Sequence, residues 1–564
     1  MNSEASPIIP PFGQPALFIS ASYVLYVLLA AVYRLFFSPL RTVPGPWYAA
    51  VSGLWLKMHA MRLHQCQTVH QLFEKYGPIV RIAPDKIAFN DKEAARQVYN
   101  ILRLDKSVFY KSLQANNNDH AMTTLPKADH SRRKKTYTAH YNMSNLARFE
   151  PEIKRAVNEL VDVLNEIRGH APVDCLDLFR QLMVDTASAT SFGVQGSALV
   201  TWAWAFGSKV DGAGEPVNQL SSAIGNFGKR AILRSNFPTW AWSIVRRFPH
   251  DGWRQICNCD GIMAKVGSTG ISAFVRARPL TTHIQYVRTK VEQTRARMQS
   301  GDAADQGLAL ESEKACMIER LLAQSTASAG PKSGLVLSKE DVISETMGHL
   351  IAGVDTSSVT LSYLCWELSR RPDIVRHLRT ELEHAMAAVG LEPATALETS
   401  TLFKLPYLNA FVKEGLRLYS AVPSLLERVV PPTQDPFILL GHTLPPGTII
   451  ATQPWSMHRD AAVFPDPAAF RPARWLDGMS EAAAQHMIPF GLGTRMCGGM
   501  NLAQIVLRRV VAAVVLLFDI VAPPETTERT MEMRDGFALF PAGMKCRLVF
   551  IPRQTSTSEA APLL

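Results

Sequence analysis

The chain has 564 residues, 47% of them hydrophobic, enough for a large core, and its 59 Lys and Arg outnumber 49 Asp and Glu for a formal net charge of +10 and a pI near 9.2. Eight scattered cysteines without a framework spacing speak against a disulfide-stapled secreted protein and for a reducing compartment. The basicity points to an anionic membrane surface, an acidic protein partner or nucleic acid, and without a helix-turn-helix, zinc-finger or RNA-binding signature nucleic acid comes last.

Ala16 to Tyr33 is a charge-free run of 18 residues, followed by Arg34 and Arg41. Leu35–Phe37 can lengthen it to about residue 37, so a membrane anchor is expected over 16–37, with the basic flank holding the rest of the chain in the cytosol. A cleaved signal peptide fits less well, because the positive charge follows the apolar run. Residues 39–47, with Pro39, Pro44 and Pro46, form a stiff hinge. One folded domain is expected over 48–553, and a disordered tail over 554–564.

Within the domain, a helix over 68–76 precedes two short strands, 79–83 and 87–89, around Pro84-Asp85-Lys86. Phe109 to Asp129 is polar and shows no period. His130-Ser131-Arg132-Arg133-Lys134-Lys135 is a dense basic run whose simplest reading is a solvated helix face. From Phe149 to about Arg320 the pattern is mostly amphipathic helix, with Trp202, Trp204, Trp240, Trp242 and Trp253 expected in core or lid packing. A flexible loop over 325–333 separates this region from a long helix that opens on the capping-box residues Ser338 and Asp341.

That helix carries Ala352-Gly353-Val354-Asp355-Thr356, a poor helical run at a mid-helix position. Ala352 and Thr356, at i and i+4, share a face beside Gly353. Farther on, Glu414 and Arg417 stand at i and i+3 of another helix, and Phe470-Arg471-Pro472-Ala473-Arg474-Trp475 follows. Between them come Ser424-Leu425-Leu426-Glu427-Arg428 and a turn at Pro445-Pro446-Gly447. His458 shows no sign of binding a metal. Val510 to Phe518 is too short to span a membrane and reads as a buried helix. Gly536 to Pro541 suggests a last hairpin.

The most informative stretch is Phe490-Gly491-Leu492-Gly493-Thr494-Arg495-Met496-Cys497-Gly498-Gly499. Glycines on both sides let backbone pass close to a flat ligand. Cys497 lies just before a helix N-terminus, where free N–H groups favour a thiolate.

Phe490, Gly493, Arg495, Cys497 and Gly499 match F-x-x-G-x-R-x-C-x-G, so this stretch resembles the haem-binding loop of the cytochrome P450 family, and the whole chain looks like a membrane-anchored microsomal member of the type found in fungal secondary metabolism. The resemblance implies a mostly α fold with smaller β sheets, preceded by a single transmembrane helix. It implies haem b (iron protoporphyrin IX) with Cys497 as axial iron ligand. Phe490, Gly491 and Gly499 would cradle the ring, Ala352 and Gly353 would leave room on its other side, and Arg495, Arg428, His130 and either Arg133 or Lys134 would meet the propionates. Thr356 and Asp355 become the groups that assist protonation of dioxygen. Glu414, Arg417 and Arg474 become a structural network that retains the haem, and Leu350, Ser424, Leu425, Leu426, Leu539 and Phe540 become pocket residues.

The activity so implied is insertion of one oxygen atom from O2 into a lipophilic small molecule, by hydroxylation or epoxidation of a terpenoid, polyketide or alkaloid. Electrons would come from a separate NADPH-cytochrome P450 reductase, with cytochrome b5 as an optional second donor. The protein would sit in the endoplasmic reticulum membrane as a single-pass protein, catalytic domain in the cytosol. A haem-thiolate isomerase or dehydratase, or a non-catalytic haem-binding sensor, is the alternative.

Overall fold

A computed structural model describes residues 13–114, 118–207, 219–259, 290–296, 315–323, 336–389, 397–476, 478 and 481–553. The loop expected over 325–333 and the tail after 553 lie outside the described residues.

The first helix, Gly13–Val32, continues as a π-helical turn over Tyr33–Phe37. Phe18–Phe37 is apolar, long enough to cross a membrane, and not buried against the body. Arg81 of the first strand donates to Arg34 O at 3.0 Å, Ser38 Oγ at 3.3 Å and Pro84 O at 2.7 Å, which ties the end of this helix to the body. The other apolar helix of membrane-spanning length, Met500–Leu517, is mostly buried and belongs to the core.

The body is mostly helical and is organised around one helix, Lys339–Arg370. Its Ser338 hydroxyl and Asp341 carboxylate form the expected capping box. The helix is rich in Ser and Thr, which are poor helix formers, yet runs through apolar surroundings. The hydroxyls of Thr346, Thr356, Ser358, Thr360 and Ser362 each donate to the carbonyl four residues back, so none is left unpaired there. It packs against Cys175–Phe192 and Met500–Leu517.

Beside the helices stands a four-stranded sheet, in the order Ile79–Ala83, Lys86–Phe89, Ile449–Ala451, Arg428–Val429. The two outer pairings are antiparallel and the central one is parallel. Near the C-terminus, Met533–Gly536 and Ala538–Pro541 form a hairpin, with Phe537 at the tip at φ +73°. Trp202 and Trp242 are buried as expected, whereas Trp204 and Trp240 are exposed and belong to no core.

Buried Asp535 ties that hairpin to the helix Gln65–Tyr76 by accepting the Cys66 N–H at 3.0 Å. Burial pushes its carboxyl from the ordinary 3.8 up to about 7, with the Cys66 and Gln65 N–H groups pulling the other way. The folded protein therefore holds a proton that the unfolded chain has released, and stability falls as pH rises from about 4 to about 7. Asp535→Asn is expected to raise the melting temperature by a few degrees at about pH 8 and to change it little at about pH 4. Equal shifts at the two pH values would contradict this assignment.

Candidate functional site

The Cys497 loop is held by its own backbone. The Cys497 N–H donates to Phe490 O at 2.8 Å, and Met496 N–H to Gly493 O at 3.1 Å. Gly491 and Gly493 both have positive φ, +74° and +65°. A Cβ at Gly493 would collide with the Tyr99 carbonyl, so that position requires glycine for space as well as for conformation. The helix Met500–Leu517 follows directly, with Gly499 as its N-cap.

Cys497 is the exposed member of eight free cysteines; the other seven are buried. Its thiol has open space ahead of it, yet protein surrounds it, and burial raises its pKa, while the N–H groups of Gly499 and Met500 and the Lys134 ammonium lower it. The helix terminus thus acts in the expected direction, but burial outweighs it and favours the thiol. A metal ion is what would tip the sulfur to the thiolate, since metal ligation displaces the proton.

The basic run is the helix Lys127–Tyr137. Its side chains divide between two tasks. Arg133 turns to the central helix, with Nη2 2.7 Å from Asp341 Oδ1 and Nη1 3.5 Å from Glu345. Of the two residues expected at a propionate, Arg133 already has its charge balanced by these carboxylates. Lys134 instead places Nζ over the cysteine loop, donating to Thr494 O at 2.9 Å and Met496 O at 3.0 Å. His130 is buried with Nδ1 unpartnered. Burial, then the charges of Arg495, Lys106, Lys134 and Arg428, push its pKa down to about 2, so it is neutral.

Arg495 donates from Nη1 to Thr124 O at 2.6 Å and from Nη2 to Leu125 O. Arg428 is buried, donates to Glu427 O at 2.8 Å and lies 4.7 Å from the Tyr99 ring centroid. Glu427 is engaged by Lys86 and by Ser107, whose hydroxyl donates to it at 2.5 Å. Among the described residues, Lys134 and Arg495 thus donate to carbonyl oxygens and Arg428 to the Glu427 carbonyl and the Tyr110 side chain, none of them to a carboxylate, although Asp105 attracts Arg495. Such a cluster costs free energy unless an anion joins it. A thiol, a cradle of bare backbone and an unpaired cationic patch are the donor set that fits a haem with its two propionates.

In the central helix, burial is broken at Ile351, Ala352, Gly353, Asp355 and Thr356, which are half-buried among fully buried neighbours. A Cβ at Gly353 would meet nothing within 4 Å, so open space lies along this face. Thr356 Oγ1 donates to Ala352 O at 2.7 Å. Asp355 Oδ1 accepts from Arg180 Nε at 3.0 Å and Nη2 at 2.8 Å. Burial would lower the Arg180 pKa, but the facing Asp355 carboxylate reverses this and raises it. Gly225, in the helix Gln219–Asn236, leaves room for that guanidinium: a Cβ there would lie 2.5 Å from Arg180 Nη2. Arg180 was invisible in the sequence, where nothing links it to a residue 175 positions away.

The structural triad is fully formed. Arg417 Nη2 and Nε contact Glu414 Oε1 and Oε2 at 2.8 and 2.9 Å, and Arg474 Nε contacts Oε1 at 3.0 Å. Trp475 Nε1 and the Arg471 N–H complete the shell of Glu414, each at 2.9 Å. The arginines also donate to the carbonyls of Pro465, Pro467, His458 and Ala469. His458 is buried, its Nδ1 3.0 Å from Arg417 O and its Nε2 accepting the Ile488 N–H at 2.8 Å, so it serves the fold.

The residues expected at the pocket differ in burial. Leu350, Ser424, Leu425, Leu539 and Phe540 are all packed away. Leu425 joins Leu56, Val69, Phe73 and Val80 under the sheet, and Phe540 lies 4.4 Å beneath the Lys229 ammonium. Of that set only Leu426 keeps free surface. In the hairpin, Leu539 and Phe540 are both buried and Phe537 stands at the tip. Half-buried Phe537 packs 6.1 Å from Phe109, centroid to centroid, and its carbonyl accepts the Ser424 hydroxyl at 3.1 Å.

Comparison with known proteins agrees with this geometry. The family model described as Cytochrome P450 matches residues 42–203 and 275–548. Among curated relatives, the chain is similar to Cytochrome P450 monooxygenase hkm5 of Aspergillus hancockii, 27% identical with 95% of each chain covered. It is 27% identical to Tryprostatin B 6-hydroxylase of Neosartorya fischeri, covering 87% of this chain and 78% of that one. It is 26% identical to Benzoate 4-monooxygenase bphA of Aspergillus niger, covering 95% and 97%.

Proposed function

This chain belongs to the cytochrome P450 family, and from that premise we propose that it is a haem-thiolate monooxygenase of secondary metabolism that inserts one oxygen atom from O2 into a lipophilic small molecule. The observation that carries this reading is the Cys497 thiol beside the Lys134 ammonium, with Arg428 and Arg495 gathered near by and, among the described residues, none of the three hydrogen-bonded to a carboxylate. A haem held by Cys497, with its propionates at Lys134, Arg428 and Arg495, would supply the binding and reductive activation of O2.

The chain's own residues do the rest. Cys497 holds the iron, and Phe490, Gly491 and Gly499 shape the cradle. Lys134, Arg428 and Arg495, with neutral His130, receive the propionates. Ala352 and Gly353 keep the central helix from filling the space above. The Thr356 hydroxyl, which now donates to Ala352 O, can turn to hold a proton at Oγ1 near the reacting centre. Asp355, fixed by Arg180, is the acid next to it. Leu426, Phe109, Ile351 and Phe537 line the substrate space, which favours an apolar molecule. Two of the relatives are named as a hydroxylase and a monooxygenase of specific small molecules, which supports C–H hydroxylation as the outcome.

Residues 1–38 anchor the protein in the endoplasmic reticulum membrane through the apolar helix, 39–47 are the hinge, and 48–553 the catalytic domain. Electrons come from NADPH-cytochrome P450 reductase, with cytochrome b5 as a second donor; exposed Arg132 and Lys135 offer an acidic partner its first contact.

The test is turnover in membranes that also hold the reductase, with labelled O2 and extracts of candidate lipophilic metabolites. One labelled oxygen per product molecule is expected. In the same assay Thr356→Ala is expected to keep consuming NADPH while product per NADPH falls several-fold. A Thr356→Ala enzyme as well coupled as wild type would remove the hydroxyl from the mechanism.

A further inference from the structure

Lys229 stands on the helix Gln219–Asn236, outside every motif read from the sequence. It is only 8% exposed, and its ammonium meets soft partners: Nζ donates to Met544 Sδ at 3.4 Å and lies 4.4 Å from the Phe540 ring centroid. Among the described residues no carboxylate pairs with it. Nearby Asp355 is already held by Arg180.

The ammonium belongs to the side of the helix that packs on the hairpin carrying Phe537. A Cβ at Gly536 would lie 3.2 Å from Lys229 Cγ and 3.4 Å from Leu63 Cδ2, and one at Gly228 would lie 2.6 Å from Gly536 O, so helix and hairpin touch closely here. Two helical turns on, and therefore on the same face, Asn236 lines a groove of about 490 Å³ between the end of this helix and the helix Leu54–Met61. Leu54, Met58 and Met61 make its wall apolar, and the charged residues that line it are Lys57 and Arg62, with no acid among the described residues there. An apolar groove rimmed by cations, with an unpaired ammonium farther along the same helix face, suits a molecule that is apolar along its length and negative at one end.

Burial, then the charge of Arg180, lowers the Lys229 pKa to about 8, with Asp355 and Cys259 pulling the other way, so the side chain is still charged at neutral pH. A buried charge without a counter-ion costs free energy that an arriving anion restores. One ammonium balances the single charge of a carboxylate, whereas a phosphate monoester brings nearly two.

We infer that Lys229 is a specificity-determining residue that receives the carboxylate of the substrate, and that the lipophilic molecule this protein oxidises is a carboxylic acid. The inference rests on the monooxygenase reading of the Cys497 site. A charge-assisted hydrogen bond from a desolvated ammonium is strong enough to sort an acid from its uncharged mimic.

The test uses purified holoprotein in three forms: wild type, Lys229→Met and Lys229→Gln. Binding of dodecanoic, naphthoic and abietic acids is measured by calorimetry at neutral pH, each beside its own primary amide, which copies the shape of the carboxylate without the charge. Wild type is expected to bind at least one acid about tenfold tighter than its amide, and both variants to lose that preference. A wild type that prefers none of the acids would overturn the inference. A preference that survives in Lys229→Met would overturn it as well, since the anion would then sit elsewhere. Without ligand, Lys229→Met is expected to melt no lower than wild type, because it removes an uncompensated buried charge. A melting temperature many degrees lower would overturn the inference in favour of a structural brace between helix and hairpin. A wild-type protein without a thiolate-type spectrum of its reduced, CO-bound form, recorded first, would instead overturn the monooxygenase reading itself.

Discussion

Cys497→Ser is expected to abolish the long-wavelength Soret band of the reduced, CO-bound protein and to eliminate oxygenation. Serine is nearly isosteric, and the contacts that shape the loop, Cys497 N–H to Phe490 O and Met496 N–H to Gly493 O, are made by backbone. The substitution therefore changes the chemistry of one atom and little else. A hydroxyl is far harder to deprotonate than a thiol and lacks the soft, polarisable sulfur that donates electron density to iron. The cations Lys134, Arg428 and Arg495 remain, so some haem is expected to stay bound in a site that no longer activates oxygen. The check is the CO-difference spectrum beside total haem. A thiolate-type spectrum in the serine variant would mean that the axial ligand lies elsewhere.

Glu414→Ala is expected to be the most destabilising single change among the residues discussed. Glu414 and Arg417 are fully buried and Arg474 nearly so. Removing the carboxylate leaves two guanidinium groups in the interior without a counter-charge and takes the partner from Trp475 Nε1. Breaking a buried charge network in this way costs about 3–5 kcal/mol, a large share of the roughly 5–15 kcal/mol that holds a typical domain together. The meander from Pro465 to Trp475, pinned by Arg417 and Arg474 through backbone carbonyls, then loosens, and it leads directly to the cysteine loop. Low soluble yield and low haem content are expected, with a melting temperature many degrees below wild type. Glu414→Gln keeps the shape and part of the hydrogen bonding and should fall between. A Glu414→Ala protein that melts within a degree or two of wild type would show that the network is dispensable.

The two predictions differ in how much of their basis can be read along the chain. Cys497 was legible because its whole cradle is contiguous: the glycines, Arg495 and the following helix lie within about ten residues. Glu414 and Arg417 are one helical turn apart, and Arg474 sits in its own short motif. The anchor helix declares itself by length and absence of charge. The capping box at Ser338 and Asp341 is local too, and it formed as expected.

Other site features depend on which segments meet. Arg133 and Lys134 are adjacent in sequence, and either could have faced the cysteine loop. The approach of Asp341 and Glu345 on another helix decided the matter, since two carboxylates outcompete carbonyl oxygens for a guanidinium. Arg180 reaches Asp355, and Lys229 reaches Phe540, across separations that leave no periodic trace. The run Ser424-Leu425-Leu426 looks uniformly suitable for a pocket in sequence, whereas packing with Leu56, Val69, Phe73 and Val80 buries Leu425 and leaves Leu426 half-buried.

By itself, then, the sequence determined the family, the loop that carries Cys497, the apolar first helix and the charge network, since each is encoded in residues close enough along the chain to act as one unit. Only the tertiary structure decided which cations lie free for an anion, what holds the acid beside Thr356, and which apolar side chains keep open surface. Those properties are relations between distant segments, set by burial and by competition for partners, and they come into being when the chain packs.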